Sequence, residues 1–176
     1  MGKSTLLNRL VASKKLVRVS KSPGRTQMIH LFQIGAGLRL ADLPGYGFSA
    51  APADVNGSWD ALLSAYFLDR AQTSSFVPCV LIDARRGLGD LDEATLSMLA
   101  GHGMEPQVVL TKADKLRPRQ LHDVADATTQ TLTSLGFRLA GAGARHQIVC
   151  TSASKVRGGR AVILHRRVRS LQGFFI

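Results

Sequence analysis

The sequence predicts an α/β fold in which a mostly parallel sheet is covered by helices on both faces. Two patterns predict it: helical and strand signals alternate along the chain, and short polar motifs stand where several apolar strands end. With 176 residues, of which 45% are apolar and 20% charged, the chain favours a single domain with a sizeable core. This composition excludes collagen-like, low-complexity and disulfide-scaffold proteins.

The first half of the chain predicts two helices and a pair of strands. Leucines at helical spacing predict the first helix. A glycine-containing turn between two apolar runs predicts the strand pair, and a polar basic stretch separates this pair from the first helix. In chain order, the elements are a helix at 4–12, strands at 28–34 and 38–43, and a helix at 58–70.

The second half of the chain alternates strands and helices. Its strands are short apolar runs, and Gly101 and Gly136 are placed to end two of its helices. An apolar stripe with the spacing of an amphipathic helix, from Ala161 to Leu171, predicts the last one. In chain order, the elements are a strand at 76–83, a helix at 90–100, a strand at 107–110, a helix at 118–135, a strand at 147–150 and the final helix at 161–171.

Basic residues gather at the two ends of the chain, which has a net charge of +11. Eight Lys and Arg and no acid precede Asp42, and eight follow Asp126, again with no acid. Blocks of one sign indicate a surface that binds a polyanion, provided that the fold brings the two ends together. A basic surface that serves solubility alone is the alternative, and charge by itself does not decide between them.

Neither a membrane-spanning segment nor a cysteine framework is predicted. The apolar run around residues 80–82 is far shorter than the roughly 20 residues that a bilayer-spanning helix needs. Cys79 and Cys150 each lie in an apolar run, where a free thiol behaves as a small hydrophobic group. We therefore expect a reducing compartment and no membrane partner.

Two motifs have the residue types of a phosphate and magnesium site. Gly2-Lys3-Ser4-Thr5 leads into the first helix, where backbone N–H groups can cradle phosphate, the lysine can reach the terminal phosphates and a hydroxyl can bind magnesium. Asp42-Leu43-Pro44-Gly45 ends a strand, so its carboxylate can hold magnesium through water and its glycine N–H can meet a terminal phosphate. Taken singly, the first is a common short sequence and the second an ordinary turn.

Two further motifs have the residue types of a guanine site. In Thr111-Lys112-Ala113-Asp114, again at a strand end, the carboxylate can accept two hydrogen bonds from guanine while the lysine stem lies along the base. Adenine would leave these buried polar groups unpaired. Thr151-Ser152-Ala153-Ser154-Lys155 can offer a backbone N–H to guanine and brace Asp114. Taken singly, the first motif is also explained by a helix-capping aspartate and the second by a Ser-rich loop.

The order and spacing of the four motifs together resemble those of the TRAFAC P-loop GTPases and, within them, of the EngB (YihA/YsxC) family. This resemblance extends from residue 2 to about residue 160. The runs that carry the closer match are Ser20-Lys21-Ser22-Pro23-Gly24-Arg25-Thr26-Gln27, Asp42-Leu43-Pro44-Gly45-Tyr46-Gly47, Asp83-Ala84-Arg85-Arg86-Gly87-Leu88 with Asp90-Leu91-Asp92, and Leu110-Thr111-Lys112-Ala113-Asp114-Lys115-Leu116.

The resemblance implies a three-layer P-loop GTPase fold, a G domain, at residues 1–172, followed by a tail at 173–176 that either docks on the core or frays. The family's first strand lies near the centre of its sheet, and this strand and half of the P-loop have no counterpart after Met1. Deleting them would leave backbone groups of the neighbouring strands unpaired. We therefore expect that Met1 is an internal or misassigned start and that the natural protein continues upstream of it.

The resemblance also implies site residues, with GTP or GDP and Mg²⁺ as ligands. Lys3, Thr26 and Gly45 are the implied catalytic residues, and Ser4 and Thr26 the implied magnesium ligands. The segment 24–28 would form the first switch. The implied nucleotide contacts are Gly2, Lys3, Ser4, Thr5, Gly24, Arg25, Thr26, Gln27, Met28, Asp42, Leu43, Pro44, Gly45, Thr111, Lys112, Ala113, Asp114, Thr151, Ser152 and Ala153.

The family further implies action on ribosomal RNA or the assembling large ribosomal subunit. We expect a monomer in the cytoplasm, or in an organelle matrix (the mitochondrion) if the source is eukaryotic. Many GTPases orient water with a glutamine at the position where this chain has Tyr46, which predicts slow intrinsic hydrolysis. Two alternatives remain. One is a degenerate GTPase-like module that binds RNA without turnover; the other, disfavoured by the guanine motif, is a P-loop kinase.

Overall fold

The computed structural model describes residues 3–10, 29–34, 38–43, 64–69, 77–138, 148–152 and 174–175. Residues 64–69 are helical, and Ala113–Lys115 form a single 3₁₀ turn. The other elements of these ranges, in chain order, are α1 (Lys3–Leu10), β1 (His30–Ile34), β2 (Leu38–Asp42), β3 (Val77–Asp83), α2 (Asp90–Gly101), β4 (Gln107–Thr111), α3 (Pro118–Ser134), β5 (Val149–Cys150) and β6 (Phe174–Phe175).

The six strands form one sheet in the order β1-β2-β6-β3-β4-β5. Only the pair β1–β2 is antiparallel, with His30 opposite Asp42 and Ile34 opposite Leu38, and every other neighbouring pair is parallel. The predicted mostly parallel sheet is therefore confirmed. Because β2, β3, β4 and β5 run in the same direction, their carboxyl ends lie along one edge of the sheet.

The chain's last strand lies inside this sheet. Phe174 is paired with both Leu40 of β2 and Val77 of β3, and Phe175 is paired with the residue that follows each of them. Two residues of the predicted tail are thus part of the sheet. The boundary between the domain and the tail, placed at residue 172 from the sequence, remains a prediction.

Apolar side chains cover both faces of the central strands. In β3, Val80 and Ile82 belong to a core with α2 and α3, whereas Leu81 belongs to a second core with Leu6 and Leu7 of α1. This alternation is the strand period of two, and both of its phases are buried, as in a sheet with helices on either side. The position of α1 is fixed by this second core.

Cys79 packs against the second core and is a free cysteine. Burial raises the pKa of its thiol to about 12, so the group is uncharged at neutral pH. Cys150 at the end of β5 is also free, and burial raises the pKa of that thiol too. Both behave as the small hydrophobic residues expected from the sequence.

The ends of α2 and α3 follow from local chemistry. Asp92 accepts a hydrogen bond from the Gly89 N–H at 2.9 Å in the acidic first turn of α2. Pro118 opens α3, and Gln120 accepts a hydrogen bond from the Arg117 N–H at 3.0 Å. Gly136 follows α3 with φ of 84°, a left-handed conformation that glycine adopts without steric cost.

The predicted elements that fall within the described ranges are present. For the strands β1 and β2 and for the elements from β3 to β5, the observed bounds differ from the predicted ones by at most two residues. Of the helix predicted at 58–70, only residues 64–69 are described. The final helix predicted at 161–171 lies outside the described residues. Among the helices that are described, none is long and apolar enough to cross a membrane.

Candidate functional site

Polar residues from four parallel strands meet at the carboxyl edge of the sheet. Asp42 ends β2, Asp83 ends β3, Thr111 ends β4, and Thr151 directly follows β5. Neighbouring strands lie about 4.8 Å apart, so this row extends over roughly 19 Å from β2 to β5, with β6 between β2 and β3. An elongated ligand with chemically different ends fits such a row.

One end of the row, the phosphate end, is built by Lys3 and Asp42. The core contacts of α1 bring the first residue of that helix to the end of β2, where the Lys3 Nζ lies 2.7 Å from the Asp42 Oδ1. The Lys3 ammonium also donates a hydrogen bond to the carbonyl oxygen of Leu43. The first turn of α1 has no acidic residue, so the helix dipole and the lysine both favour an anion here.

The carboxylate of Asp42 has an oxygen that accepts no hydrogen bond from the described residues. Its side chain is 1% exposed, and although Oδ1 forms the ion pair with Lys3, Oδ2 accepts no hydrogen bond from the described residues. Burying a carboxylate oxygen without a hydrogen-bond donor costs free energy. Such an oxygen can bind Mg²⁺ directly or accept a hydrogen bond from a water bound to it. Asp42 therefore fits a site for a hydrated divalent cation.

The other end of the row, the base end, is held by hydrogen bonds between strands. The Thr111 hydroxyl, which is buried, donates to the carbonyl of Ile82 at 3.0 Å. The Thr151 N–H donates to the carbonyl of Leu110 at 2.8 Å, and the Ala113 N–H donates to the carbonyl of Thr151 at 3.1 Å. Three consecutive strands thus fix the loop that follows β4.

Asp114 lies in this fixed loop, within the single 3₁₀ turn. Its side chain is 7% exposed, and its Oδ2 is 3.8 Å from the Lys115 Nζ. The nearby Thr151 is buried, and its hydroxyl makes no hydrogen bond to a described residue. A buried hydroxyl with spare capacity beside a nearly buried carboxylate is suited to a planar polar ligand.

Lys112, a predicted site residue, is paired with Asp83, which the site prediction did not include. The Asp83 Oδ2 accepts a hydrogen bond from the Lys112 Nζ at 2.7 Å and another from the Arg85 Nη2 at 2.7 Å. The Arg85 guanidinium, and after it the Lys112 ammonium, hold the pKa of the Asp83 carboxyl well below its usual range. The sequence offered one signal, since an aspartate ends the buried strand β3 beside β4.

The structure places contacts within two groups of predicted residues, one at each end of the row, and several other predicted residues lie outside the described residues. Lys3 and Asp42 are in contact, and the loop after β4 is bonded to Thr151. The side chain of Ser4 is not described, although its backbone is part of α1. The predicted site residues that lie wholly outside are Gly2, Gly24, Arg25, Thr26, Gln27, Met28, Pro44, Gly45 and Ala153.

Comparisons with known proteins show which family the sequence resembles. The sequence model of a family described as "50S ribosome-binding GTPase" matches residues 1–112. A "Probable GTP-binding protein EngB" of Rhodopseudomonas palustris is 42% identical over 134 residues, which are 75% of this chain and 61% of that protein. Another of the same name, from Roseobacter denitrificans, is 42% identical over 155 residues, which are 88% of this chain and 68% of that protein. The chain spans about three fifths of the length of the first of these relatives.

A solved structure supports the fold. The "crystal structure of a probable GTP-binding protein engB" superposes with a TM-score of 0.63 over 86% of this chain and 83% of that chain, at 23% sequence identity. At this identity the likeness concerns the fold alone. It confirms the predicted three-layer P-loop GTPase architecture.

Proposed function

We propose that this chain binds guanine nucleotides with Mg²⁺ and hydrolyses GTP slowly, because it belongs to the EngB family of 50S ribosome-binding GTPases. One observation carries the proposal. The Lys3–Asp42 pair lies on the same sheet edge as the loop of Asp114, so groups suited to phosphate and to guanine stand at the two ends of one row.

At the phosphate end, Lys3 is the proposed partner of the terminal phosphates. Its ammonium lies at the start of α1, where the helix N–H groups and dipole favour an anion. The nearly buried charge of Lys3 is balanced by Asp42. A bound phosphate would offer Lys3 a second anionic partner.

A magnesium ion fits this end of the row. Asp42 would hold it through water with the oxygen that has no donor among the described residues, and Ser4 and Thr26 are the proposed direct ligands. When bound, the ion neutralises charge on the phosphate oxygens as phosphoryl transfer proceeds. Lys3 supplies a second positive charge, and Gly45 is proposed to contribute its N–H to the γ-phosphate.

At the base end, Asp114 is the proposed reader of guanine. Its carboxylate is nearly buried and stands on a loop that three strands hold in place. A guanine would donate to it from two nitrogen atoms, whereas adenine offers an acceptor in place of one of these donors. Thr151 to Ala153 would back the base, and the Lys112 stem would lie along it.

Hydrolysis is proposed to be slow without a partner. Tyr46, which lies outside the described residues, stands where many GTPases have a water-orienting glutamine. We expect intrinsic turnover of about 10⁻³ s⁻¹ or below, as for GTPases that lack a complete water-orienting site. Phosphate release measured with and without ribosomal RNA checks this, and rapid turnover without RNA would contradict it.

The proposed partner is ribosomal RNA or the assembling large ribosomal subunit. The basic blocks before Asp42 and after Asp126 support it, because clustered Lys and Arg bind a phosphate backbone. The family name of the matching sequence model points the same way. A cytoplasmic or organelle-matrix location and a monomeric state complete the proposal.

Titration with a fluorescent guanine nucleotide and Mg²⁺, with ATP as competitor, tests the proposed function. We expect saturable binding that excess ATP does not displace. Asp114→Ala should lower the preference for guanine over adenine by about a hundredfold or more, because discrimination by a buried hydrogen-bonding group is lost. Asp123→Ala, which removes an exposed aspartate of α3, is the matched control and should leave the preference unchanged.

A different result would favour the other candidate. If the chain binds ribosomal RNA but shows no saturable binding of GTP or GDP, it is a degenerate GTPase-like module rather than a nucleotide switch. If Asp114→Ala and Asp123→Ala have the same small effect on the preference, Asp114 does not read the base.

A further inference from the structure

We infer that Asp83 is a positioning residue that holds Lys112 for the guanine base, an inference that rests on the proposed function. Asp83 is the last residue of β3 and is directly opposite Thr111 in the parallel pairing of β3 with β4. Lys112 is the next residue of the chain after Thr111. The register of two core strands therefore sets the distance between the carboxylate and the lysine.

The backbone of Lys112 has an uncommon conformation. Its φ is 58° and its ψ is 30°, and it is the one non-glycine residue with a positive φ in the described part of the chain. Residues other than glycine and asparagine are disfavoured in this left-handed conformation. They adopt it where the surrounding structure holds the backbone in place. The neighbouring bonds of Thr111 and Ala113 to adjacent strands provide that surrounding structure.

The carboxylate of Asp83 fixes the far end of the Lys112 side chain. The Nζ–Oδ2 distance is 2.7 Å, and the side chains of Lys112 and Asp83 are 35% and 13% exposed. With its backbone set by the left-handed conformation and its ammonium set by Asp83, the four-carbon stem has little freedom left. A ligand that packs on this stem does not have to order it, which favours binding.

Arg85 also contacts the Asp83 carboxylate, which could instead order the loop that follows β3. The Arg85 Nε donates to the Asp83 Oδ1 at 2.9 Å, and the Arg85 Nη2 donates to the Oδ2 at 2.7 Å. Asp83 could therefore serve only to order its own loop. Arg85 is 53% exposed, however, and exposed ion pairs contribute little, whereas Lys112 is the more enclosed partner.

Affinity for GDP, measured for single and double variants, tests the inference. We expect Asp83→Ala and Lys112→Met each to weaken GDP binding by about tenfold, the size of one charge-assisted hydrogen bond. The double variant should be no weaker than either single one, because both changes remove the same contact. Arg85→Ala should stay within about twofold of the unchanged protein.

Four outcomes decide the matter. A double variant in which the two losses multiply would overturn the inference, since Asp83 would then act independently of Lys112. Equal losses in Arg85→Ala and Asp83→Ala would overturn it in favour of loop order alone. An unchanged affinity in Asp83→Ala, while the parent chain still prefers GDP to ADP, would refute this inference and leave the proposed function intact. Failure of the parent chain to bind GDP would remove both.

Two control measurements accompany the affinities, one for the stability of each variant and one for the end of the site that it affects. The thermal midpoint of each variant shows whether weaker binding reflects loss of structure. In addition, the ratio of GTP to GDP affinity should stay the same in Asp83→Ala, because the γ-phosphate is expected to be read at the Lys3 end of the row. A changed ratio would place the effect of Asp83 at the phosphates and contradict its assignment to the base.

Discussion

The two ends of the candidate site are built in different ways. At the phosphate end, one ion pair joins residues that are 39 positions apart, and Asp42 keeps a buried oxygen without a donor among the described residues. At the base end, hydrogen bonds from three strands and the Asp83 cluster fix a short contiguous segment. The base end is therefore preorganised, whereas the phosphate end has a carboxylate oxygen that no described residue satisfies and that a ligand could use.

The largest expected effect concerns the ion pair of the phosphate end. Lys3→Met leaves the buried Asp42 carboxylate without its counter-charge, and Asp42→Leu leaves the ammonium without its carboxylate. Removing one partner of a buried ion pair costs about 3–5 kcal/mol, while replacing both partners with apolar residues is often nearly neutral. We expect each single variant to lower the free energy of unfolding strongly and the double variant to recover most of the loss, as measured by urea denaturation.

An exposed side-chain contact provides the control for this cycle. On α3, the His122 Nδ1 lies 2.9 Å from the Asp126 Oδ2, and the two side chains are 75% and 60% exposed. Alanine at either position should change the free energy of unfolding by less than about 1 kcal/mol. If the losses in Lys3→Met and Asp42→Leu simply add in the double variant, the two charges do not depend on each other.

A smaller effect is expected at the base end, where support is shared. Thr111→Val removes the buried hydroxyl that donates to the Ile82 carbonyl and keeps the shape of the side chain. The loss of one such hydrogen bond costs about 1–2 kcal/mol. Thr133→Val alters an exposed threonine of α3 and should cost about 0.5 kcal/mol or less. Equal urea midpoints for the two variants would argue that the base end is not held through Thr111.

The contrast between the ends also explains what the sequence could predict. Residues 111–114 of the base end are consecutive and stand where an apolar strand ends, so the motif alone predicts their position at the sheet edge. Helix periodicity likewise predicts α1, whose leucines bring Lys3 to the edge. The contact between Asp83 and Lys112 was missed because it depends on the register of β3 and β4, which neither strand specifies alone.

The place of β6 could not be predicted for a related reason. Two phenylalanines near the end of the chain have no period from which a strand or its neighbours can be inferred. Their position between β2 and β3 is a property of the whole sheet. Lys112 is a similar case, because its left-handed backbone comes from bonds made by its neighbours rather than from a glycine or asparagine.

The smallest expected effect is the pH dependence of the base end. Arg85 first, and then Lys112, lower the pKa of Asp83 in the folded chain, so the carboxylate is stabilised relative to the unfolded chain, whose aspartates titrate near pH 3.9. The contribution to stability is therefore complete above about pH 4 and declines as the pH falls towards the lowered pKa. Because Arg85 is half exposed, solvent screens the pair, and we expect its contribution to stability to be small.

Urea midpoints of the unchanged chain and of Asp83→Asn, measured from pH 6 down to pH 2.5, check this sign. The unchanged chain should be the more stable at pH 6, and the difference should shrink below pH 4 as its carboxylate becomes protonated. Asp123→Asn, which also removes one negative charge but at an exposed position, corrects for the change in net charge. A difference that grows towards low pH would mean that Asp83 is destabilised when charged, and the base end would then be strained rather than preorganised.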